Sequence, residues 1–414
     1  MAHGHRPTRG SAGEPTTATH AAHLRALNAD RVLRIAIDQP GTFTRAELIQ
    51  ASGLSAPTVG SVTTDLISKG MLSDLGTAPS RGGRRPTLME FNARHGFVAG
   101  IDLGPTRTRL AVGDLRGHQL AARIVDTPTD VPPAVLVEQM TSALRDLLAE
   151  AGAPEKRLVS LVAGAPGPVD LSSGTVLYAP NLHGWNTVPL RTLLRERINT
   201  GIVIENDVNL ALLGEHSTGA ARDHRTCVFL FVGTGIGAAI LIDGVLHHGH
   251  HYMAGEVGAM VMSPEHIGGD VGPRGCLEGL AGMKALRSRW DPARAEPPDR
   301  WFASLMQAYS RGDARAVEAV DETATLIAMA AAQIGATIDP SVLVLGGSMF
   351  AEPGPLVDAV RRILRQIART PFEVVLSALG KDAPLAGCLL VGAHEAQRTL
   401  RHQLRGGQRR RLVQ

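Results

Sequence analysis

Residues 227–244 read CVFLFVGTGIGAAILIDG, two apolar runs on either side of a glycine-rich stretch at 233–237. Short apolar runs rich in β-branched and aromatic residues and bounded by glycine are typical of buried strands. Glycine also lets a backbone approach a phosphate closely and turn its N–H groups toward it. The stretch therefore predicts a buried β-hairpin whose turn is a candidate phosphate-binding loop.

Two further glycine-bearing strand ends flank this hairpin in the sequence, DLGPT at 102–106 and GGS at 346–348. An aspartate beside such a loop can hold magnesium through water. Strand patterns alternate with helical patterns from residue 96 onward, and this alternation predicts an α/β sheet domain. The candidate nucleotide-like loop residues are Asp102, Gly104, Thr106, Gly233, Thr234, Gly235, Gly237, Gly346 and Gly347.

A different pattern precedes this domain. Residues 22–38 have helical apolar spacing, and Thr44 with Glu47 forms the capping-box pattern of a helix that starts at residue 45. A tight turn at 52–54 separates it from a second helix that Ser55 caps. Two short helices joined by a glycine turn are the signature of a helix-turn-helix.

A hairpin of residues 71–75 and 87–91 follows, and the loop between its strands reads GTAPSRGGRRP. Such a loop predicts the wing of a winged helix-turn-helix; the alternative is a plain three-helix bundle with a solvated basic loop. The second helix carries no arginine on its outer face, so we expect Arg84 and Arg85 to enter a narrow A·T-rich minor groove. The candidate DNA-binding residues are Ser55, Ala56, Thr58, Ser61, Thr64, Arg81, Arg84 and Arg85.

Charge and cysteine content limit the function classes. The net charge is only +3, but residues 1–95 hold 11 basic against 7 acidic side chains, so the positive excess lies with the candidate DNA-binding segment. The three widely spaced cysteines predict no disulfide framework and fit a cytoplasmic protein. No apolar run is long enough for a membrane span, and the N-terminus has no apolar core of a signal peptide.

The three glycine motifs, in this order and spacing, resemble the ROK family of repressors, open reading frames and sugar kinases. Further stretches support the resemblance: PGPVD at 166–170, PNLHGW at 180–185, ENDVN at 205–209, AGEVG at 254–258 and GCLEGLAG at 275–282. The resemblance implies a two-lobed actin/hexokinase-like (ribonuclease H-like) domain in the α/β class. The N-terminal winged helix-turn-helix and GGRRP at 82–86 resemble the repressor branch. Kinases of the family lack this extension.

The resemblance also implies residue roles. Asn181, Asn206, Asp207, Glu256 and Glu278 match positions that bind sugar hydroxyls, and Asp207 matches the general base of the kinases.

The family's structural zinc is held by one His and three Cys, but the matching positions here are Ala259, Gly269, Val271 and Cys276. We therefore predict no metal and no cofactor, because one thiolate cannot close a tetrahedral zinc site. The four histidines at 247, 248, 250 and 251, with His266 further on, offer a metal site as an alternative, but they are interpreted as an exposed polar loop.

Two departures argue against phosphoryl transfer. Ala259 removes a usual sugar contact, and Pro105 removes a backbone N–H donor from the first loop. We therefore expect a DNA-binding regulator, a repressor of carbohydrate-related genes, whose kinase-like domain senses a sugar but is catalytically inactive. The alternative is an active ATP-dependent sugar kinase with a DNA-binding extension.

The expected partners are double-stranded DNA with an A·T-rich inverted repeat, a sugar or sugar derivative, and further copies of the chain in a homodimer or homotetramer. No membrane is expected. The expected organisation is a disordered arm at 1–21, the winged helix-turn-helix at 22–92, the kinase-like domain at 96–400 and a basic tail at 401–414.

Overall fold

A computed structural model of the protein describes residues 17–77, 86–128, 130–264, 276–297, 300–369 and 371–405. Inter-residue contacts divide the chain into two compact units. The N-terminal unit comprises Met1–His95 together with Gln397–Gln414, and the central unit comprises Gly96–Ala396. Among the described residues, no helix has both the length and the apolar character needed to span a membrane.

The N-terminal unit is a three-helix domain with a small antiparallel sheet. Its elements are α1 (Thr17–Asp38), β1 (Phe43–Thr44), α2 (Arg45–Ser52), α3 (Ala56–Ser68), β2 (Leu72–Thr77) and β3 (Thr87–Phe91), with sheet order β1-β3-β2. Val32, Leu33, Leu48, Val59 and Leu66 are almost fully buried and form its core. The predicted helices and hairpin are present, although α1 begins five residues before the predicted start.

The first half of the central unit is built on a mixed five-stranded sheet. Its elements are β4 (Phe97–Leu103), β5 (Arg107–Asp114), β6 (Gln119–Asp126), α4 (Pro133–Glu150), β7 (Leu158–Ala165), β8 (Val169–Asp170), β9 (Thr175–Tyr178), β10 (Asn186–Val188), α5 (Leu190–Arg195), β11 (Gly201–Asn206) and α6 (Asp207–Thr218). The sheet order is β11-β7-β4-β5-β6. The strand β4 pairs antiparallel with β5 and parallel with β7. Strands β8, β9 and β10, which lie between β7 and β11 in the sequence, form a separate small sheet.

The second half repeats this topology. Its elements are β12 (Cys227–Val232), β13 (Ile236–Ile242), β14 (Val245–Leu246), α7 (Leu277–Ala281), α8 (Met283–Trp290), α9 (Trp301–Ser310), α10 (Ala314–Ile338), β15 (Val342–Gly346), α11 (Pro355–Ile367), β16 (Glu373–Leu376) and α12 (Ala383–Leu404). The sheet order is β14-β13-β12-β15-β16, and β12 pairs antiparallel with β13 and parallel with β15. Because the same strand order occurs twice, the central unit has the two-lobed α/β architecture predicted from the sequence.

Both ends of the chain contribute to the N-terminal unit. The predicted arm lies mostly outside the described residues, and its last residues belong to α1. At the other end, α12 continues to Leu404, beyond the predicted domain end at residue 400. Residues 397–404 are therefore helical and belong to the N-terminal unit.

Candidate DNA-binding surface and ligand site

The helix-turn-helix is shaped by local capping. Thr44 Oγ1 accepts a hydrogen bond from Glu47 N, and the Glu47 carboxylate accepts one from Thr44 N, so the predicted capping box is present. Gly53 ends α2 in the left-handed region at φ 65°, which a side chain would disfavour. Ser55 Oγ then accepts from Thr58 N and starts α3. The turn between α2 and α3 is therefore fixed by residues read directly from the sequence.

The outer face of α3 carries small side chains. Ser55, Ala56, Ser61 and Thr64 are exposed, and Thr58 is half-buried with its hydroxyl 2.8 Å from Ser55 Oγ. These side chains can contact thymine methyl groups or phosphates, but they cannot make the bidentate contact by which arginine reads guanine. Arg81, Arg84 and Arg85 lie outside the described residues, so the wing stays a prediction.

The glycine motifs of the central unit lie at strand ends, and two of them are neighbours in space. A Cβ on Gly233 would lie 3.0 Å from Ser348 Oγ, which joins the GTGIG turn to the GGS motif. Gly104 N donates to Arg107 O, and Gly233 N donates to Gly235 O. These two N–H groups are used inside their own turns, so neither is free for a phosphate without rearrangement.

Asp102 is buried at the end of β4, and Arg109 on the paired strand β5 contacts it. The Arg109 Nη1 to Asp102 Oδ2 distance is 3.2 Å, and Asp102 is 4% exposed. Burial raises the pKa of Asp102 to about 6, although Arg109 opposes the shift. No sequence motif marks Arg109, because its pairing with Asp102 depends on the register of β4 and β5.

Asp207 is the first residue of α6, directly after β11. Burial raises its pKa to about 8, with further contributions from the charges of Asp102 and Glu256. A general base works best when its pKa lies near the working pH, so this raised pKa does not argue against that role for Asp207.

The other predicted sugar-binding residues gather around the same place. A Cβ on Gly235 would lie 3.1 Å from Glu278 Oε2 and 3.6 Å from Asn181 Nδ2. Glu278 Oε2 also accepts a hydrogen bond from Ile236 N at 2.9 Å. Burial, and then the charge of Glu278, raises the pKa of Glu256. Asn181, Asp207, Glu256 and Glu278 are thus brought together, as one set of hydroxyl-binding side chains requires.

The side chain of Asn206 forms hydrogen bonds that stabilise the turn before α6. Its Oδ1 accepts from Asn209 N at 3.0 Å and caps α6, while its Nδ2 donates to Gly167 O at 3.0 Å. Both polar atoms are therefore committed to the turn that presents Asp207. A ligand would have to share Asn206 with these contacts.

The histidine loop contains one residue that was misinterpreted from the sequence. His247, His250 and His251 are exposed as expected. His248 instead lies with its Nε2 2.8 Å from Oε2 of the buried Glu205, so it is not a plain exposed loop residue. The first residue of the ENDVN stretch was the available signal, because a buried carboxylate requires a partner.

The positions that match the family's four zinc ligands carry a poor set of donor side chains. Ala259 is exposed, and Cys276 is half-buried and pairs through its backbone with Val261. Gly269 and Val271 lie outside the described residues, and neither side chain is a ligand. One thiol does not fit tetrahedral zinc, and the absence of zinc remains a prediction.

Comparison with known proteins agrees with this architecture. The ROK family model matches residues 98–394. The xylose repressor of Caldicellulosiruptor bescii is 28% identical over 387 residues, covering 88% of this chain and 95% of the repressor. The glucokinase of Streptomyces coelicolor is 30% identical over 312 residues, covering 70% of this chain and 96% of the kinase.

A solved structure extends the likeness in fold to the N-terminal unit. It is described as a ROK family transcriptional regulator, a homologue of the E. coli MLC protein, and it aligns over 93% of this chain and 100% of its own. The TM-score is 0.73 at 22% identity, which is a likeness of fold. With the family model spanning both lobes of the central unit, these findings establish that the chain belongs to the ROK family.

Proposed function

We propose that this protein is a DNA-binding transcriptional repressor of carbohydrate-related genes whose central unit senses a sugar or sugar derivative. The observation that carries the proposal is the capped helix-turn-helix, whose helix α3 leaves Ser55, Ala56, Ser61 and Thr64 exposed. Relatives named xylose repressor align over this unit as well as the central one, since they cover 88% of the chain. A glucokinase relative covers 70% and supports only the sugar-related part.

The DNA target should be an inverted repeat. One winged helix contacts too few base pairs for selection from a genome, so a homodimer or homotetramer would present two or more copies of α3. The small side chains on α3 favour thymine contacts over guanine contacts. The wing arginines Arg84 and Arg85 would add affinity in A·T-rich flanks.

The ligand should bind at the polar side chains gathered around the GTGIG turn. Asn181, Asp207, Glu256 and Glu278 offer amide and carboxyl groups, which suit hydroxyls as both donors and acceptors. A site of this kind rejects a ligand that leaves its buried polar groups unpaired. Ligand binding would change DNA affinity only if the ligand prefers one of two conformations of the protein.

We further propose that the protein does not phosphorylate its ligand at a useful rate. Pro105 has no N–H to offer, Ala259 lacks a sugar contact, and the N–H groups of Gly104 and Gly233 are used inside their own turns. Phosphoryl transfer depends almost entirely on positioning and charge stabilisation, so several such losses together are costly.

An ATP-dependent sugar kinase is the second candidate function. It is favoured by one observation, the closeness of the carboxyls of Asp102, Asp207 and Glu256, which influence one another's charge. The two functions differ in a direct assay with ATP, magnesium and a panel of hexoses and pentoses. Turnover above about 1 per second, an ordinary enzymatic rate, would favour the kinase.

Genome-wide mapping of bound sites with the full-length protein is the deciding experiment for the repressor. We expect recovered fragments to share an inverted repeat and to adjoin carbohydrate genes. Purified protein should then shift such a fragment, and D-xylose or D-glucose should change the shift. The variant Ser61→Glu/Thr64→Glu places two negative charges on α3 and should abolish binding, whereas Glu318→Gln on the exposed face of α10 should not. Scattered sites without a shared repeat would contradict the proposal.

A further inference from the structure

The segment between β14 and the turn at Val257–Ala259 is attached to the strand that leads into the ligand site. His248 makes this attachment in two ways. Its Nε2 lies 2.8 Å from Glu205 Oε2, and its carbonyl accepts a hydrogen bond from Ala254 N at 3.2 Å. His248 therefore closes its own loop through the backbone and fixes that loop to β11 through the side chain.

Glu205 also forms hydrogen bonds with residues at the start of α6. It is 8% exposed, and its Oε1 accepts from Asn206 N at 2.8 Å and from Asn209 Nδ2 at 2.9 Å. With Oε2 against His248, both carboxylate oxygens have partners. Because Asp207 lies between the two asparagines, the same carboxylate that holds His248 also shapes the turn that presents Asp207.

The other end of the segment is fixed to β13. Gly255 has φ 93°, and its carbonyl accepts from Ala238 N at 2.7 Å. A Cβ on Gly255 would lie 1.9 Å from Ala238 O, so the close approach needs glycine. Glu256 follows directly, and its N–H donates to Met253 O at 3.2 Å. Its backbone is thus held by β13 on one side and by the loop that His248 closes on the other.

We propose that His248 is a positioning residue of the ligand site, whose contact with Glu205 holds residues 247–256, and with them Glu256, next to Asn206 and Asp207. The proposal goes beyond the proposed function, because it concerns how the site is assembled and not what the site regulates. It rests on the proposed function in one respect, which is that Glu256 contacts a ligand.

Protonation of the imidazole strengthens the contact, because a charged N–H donor then meets the carboxylate. The hydrogen bond to Glu205 raises the pKa of His248 against the opposing effect of burial, and the charge of Glu205 adds to the rise. In the described part of the chain, Glu205 is the charged group whose influence on His248 is resolved. The other ionisable side chains of its own segment are the exposed His247, His250 and His251 and the half-buried Tyr252 and Glu256.

The sign of the pH effect follows from this direction. A histidine whose pKa is raised by folding contributes stability that is fully present below its unfolded value, about 6.5, and is lost as the pH rises through the raised value. Residues 247–256 should therefore be held most firmly in mild acid and loosened in mild alkali.

Amide hydrogen exchange of the full-length protein, followed by mass spectrometry from pH 6 to pH 9, tests the proposal. Exchange rates are divided by the intrinsic rate at each pH. We expect protection of peptides within 247–256 to fall by about threefold or more across this range in the wild type. His248→Gln keeps an N–H donor but does not titrate, so its protection should depend on pH much less than that of the wild type, with Asp207 as the source of the remaining dependence. His251→Ala, at an exposed site of the same loop, should behave as the wild type does.

Two results would overturn the proposal. One is wild-type protection that stays constant or rises with pH. The other is a His248→Gln profile that titrates as the wild type does. His248→Ala should lower protection at every pH; if that variant does not fold, the first two profiles still decide. No sugar or DNA is present in this experiment, so a failure of the proposed repressor function would leave its outcome unchanged.

Discussion

Asp30 in α1 and Arg401 near the end of α12 form a hydrogen-bonded ion pair across 371 positions of sequence. Arg401 Nε donates to Asp30 Oδ1 at 2.8 Å, and Arg405 donates to the other carboxylate oxygen. The Asp30 side chain is only 7% exposed. Burial opposes its ionisation, but the hydrogen bonds and charges of the two arginines prevail and lower its pKa. The N-terminal unit is thus completed by residues near the other end of the chain.

Arg401→Ala/Arg405→Ala should destabilise the N-terminal unit by about 1–3 kcal/mol, because a buried carboxylate loses both partners while the exposed parts of the arginines limit the loss. The stabilisation should be present at neutral pH and disappear as the pH falls below about 3.9 through the lowered pKa of Asp30. All tryptophans and tyrosines lie in the central unit, so hydrogen exchange of α1 is the suitable measurement. Lys69→Ala, which breaks the exposed pair with Asp65, should change exchange little. Equal protection of α1 in the double variant and the wild type would contradict the role of this pair.

Glu215 is the corresponding buried anchor of the central unit. It is 0% exposed, its Oε1 accepts from Leu379 N at 2.8 Å, and its Oε2 accepts from Ala220 N at 2.7 Å. Glu215→Ala leaves these donors without a partner and should cost about 3–5 kcal/mol of unfolding free energy. Urea unfolding followed by tryptophan fluorescence measures it. Glu318→Ala, at an exposed site of α10, is the control, and a loss of similar size in both variants would rule out the anchoring role.

The sequence predicted those structural features that depend on residues close together in the chain. The capping box of Thr44 and Glu47 is local, because it joins residues three positions apart. The buried hairpin around 227–244 follows from apolar runs interrupted by glycine. The two-lobed architecture followed from the family resemblance, whereas the strand order came from the structure, since alternating strands and helices alone allow several sheet orders.

Contacts between distant segments could not be predicted in this way. Glu205 and His248 are 43 positions apart, and nothing local indicates that their side chains form a hydrogen bond. The predicted sugar-binding role of Asn206 came from its motif, whereas its hydrogen bonds to Asn209 and Gly167 depend on the folded turn. Partner choice among buried polar groups is a property of the packed chain, and so it needs a structure.

Asp207 should make stability depend on pH. Its pKa is raised to about 8 in the folded chain, against about 3.9 when unfolded, so folding is progressively penalised as the pH rises between these values. Asp207→Asn removes the penalty, and its unfolding free energy relative to the wild type should increase from pH 5 to pH 8. Urea titrations at both pH values measure this difference. Asp146→Asn, with a side chain 68% exposed, should give no such trend. Parallel pH profiles for the wild type and Asp207→Asn would mean that Asp207 is ionised in the folded protein.

The wing arginines should carry the salt dependence of DNA binding. Arg84→Ala/Arg85→Ala removes two cationic groups, and each lost phosphate contact should reduce the salt slope of log K by about 1. Fluorescence anisotropy with a labelled fragment from the binding map, at several NaCl concentrations, gives the slope. Arg365→Ala/Arg369→Ala removes the same charge from exposed positions in and just after α11 and should leave the slope unchanged. An unaltered slope in the wing variant would move the phosphate contacts elsewhere.

Ala259 follows the AGEVG stretch, at the position where the family resemblance places a histidine that contacts sugar. It is exposed at the end of the turn Val257–Ala259, next to Gly258, whose added Cβ would lie 3.3 Å from Glu278 Oε2. Ala259→His should therefore strengthen binding of D-glucose or D-xylose by about two- to tenfold, the worth of one net hydrogen bond. Isothermal titration calorimetry measures the affinity, and Ala314→His, at the exposed start of α10, is the control. Unchanged or weaker binding in Ala259→His would show that the ligand occupies the site without approaching this position. The ligand would then differ in shape from the sugars that the family's histidine contacts.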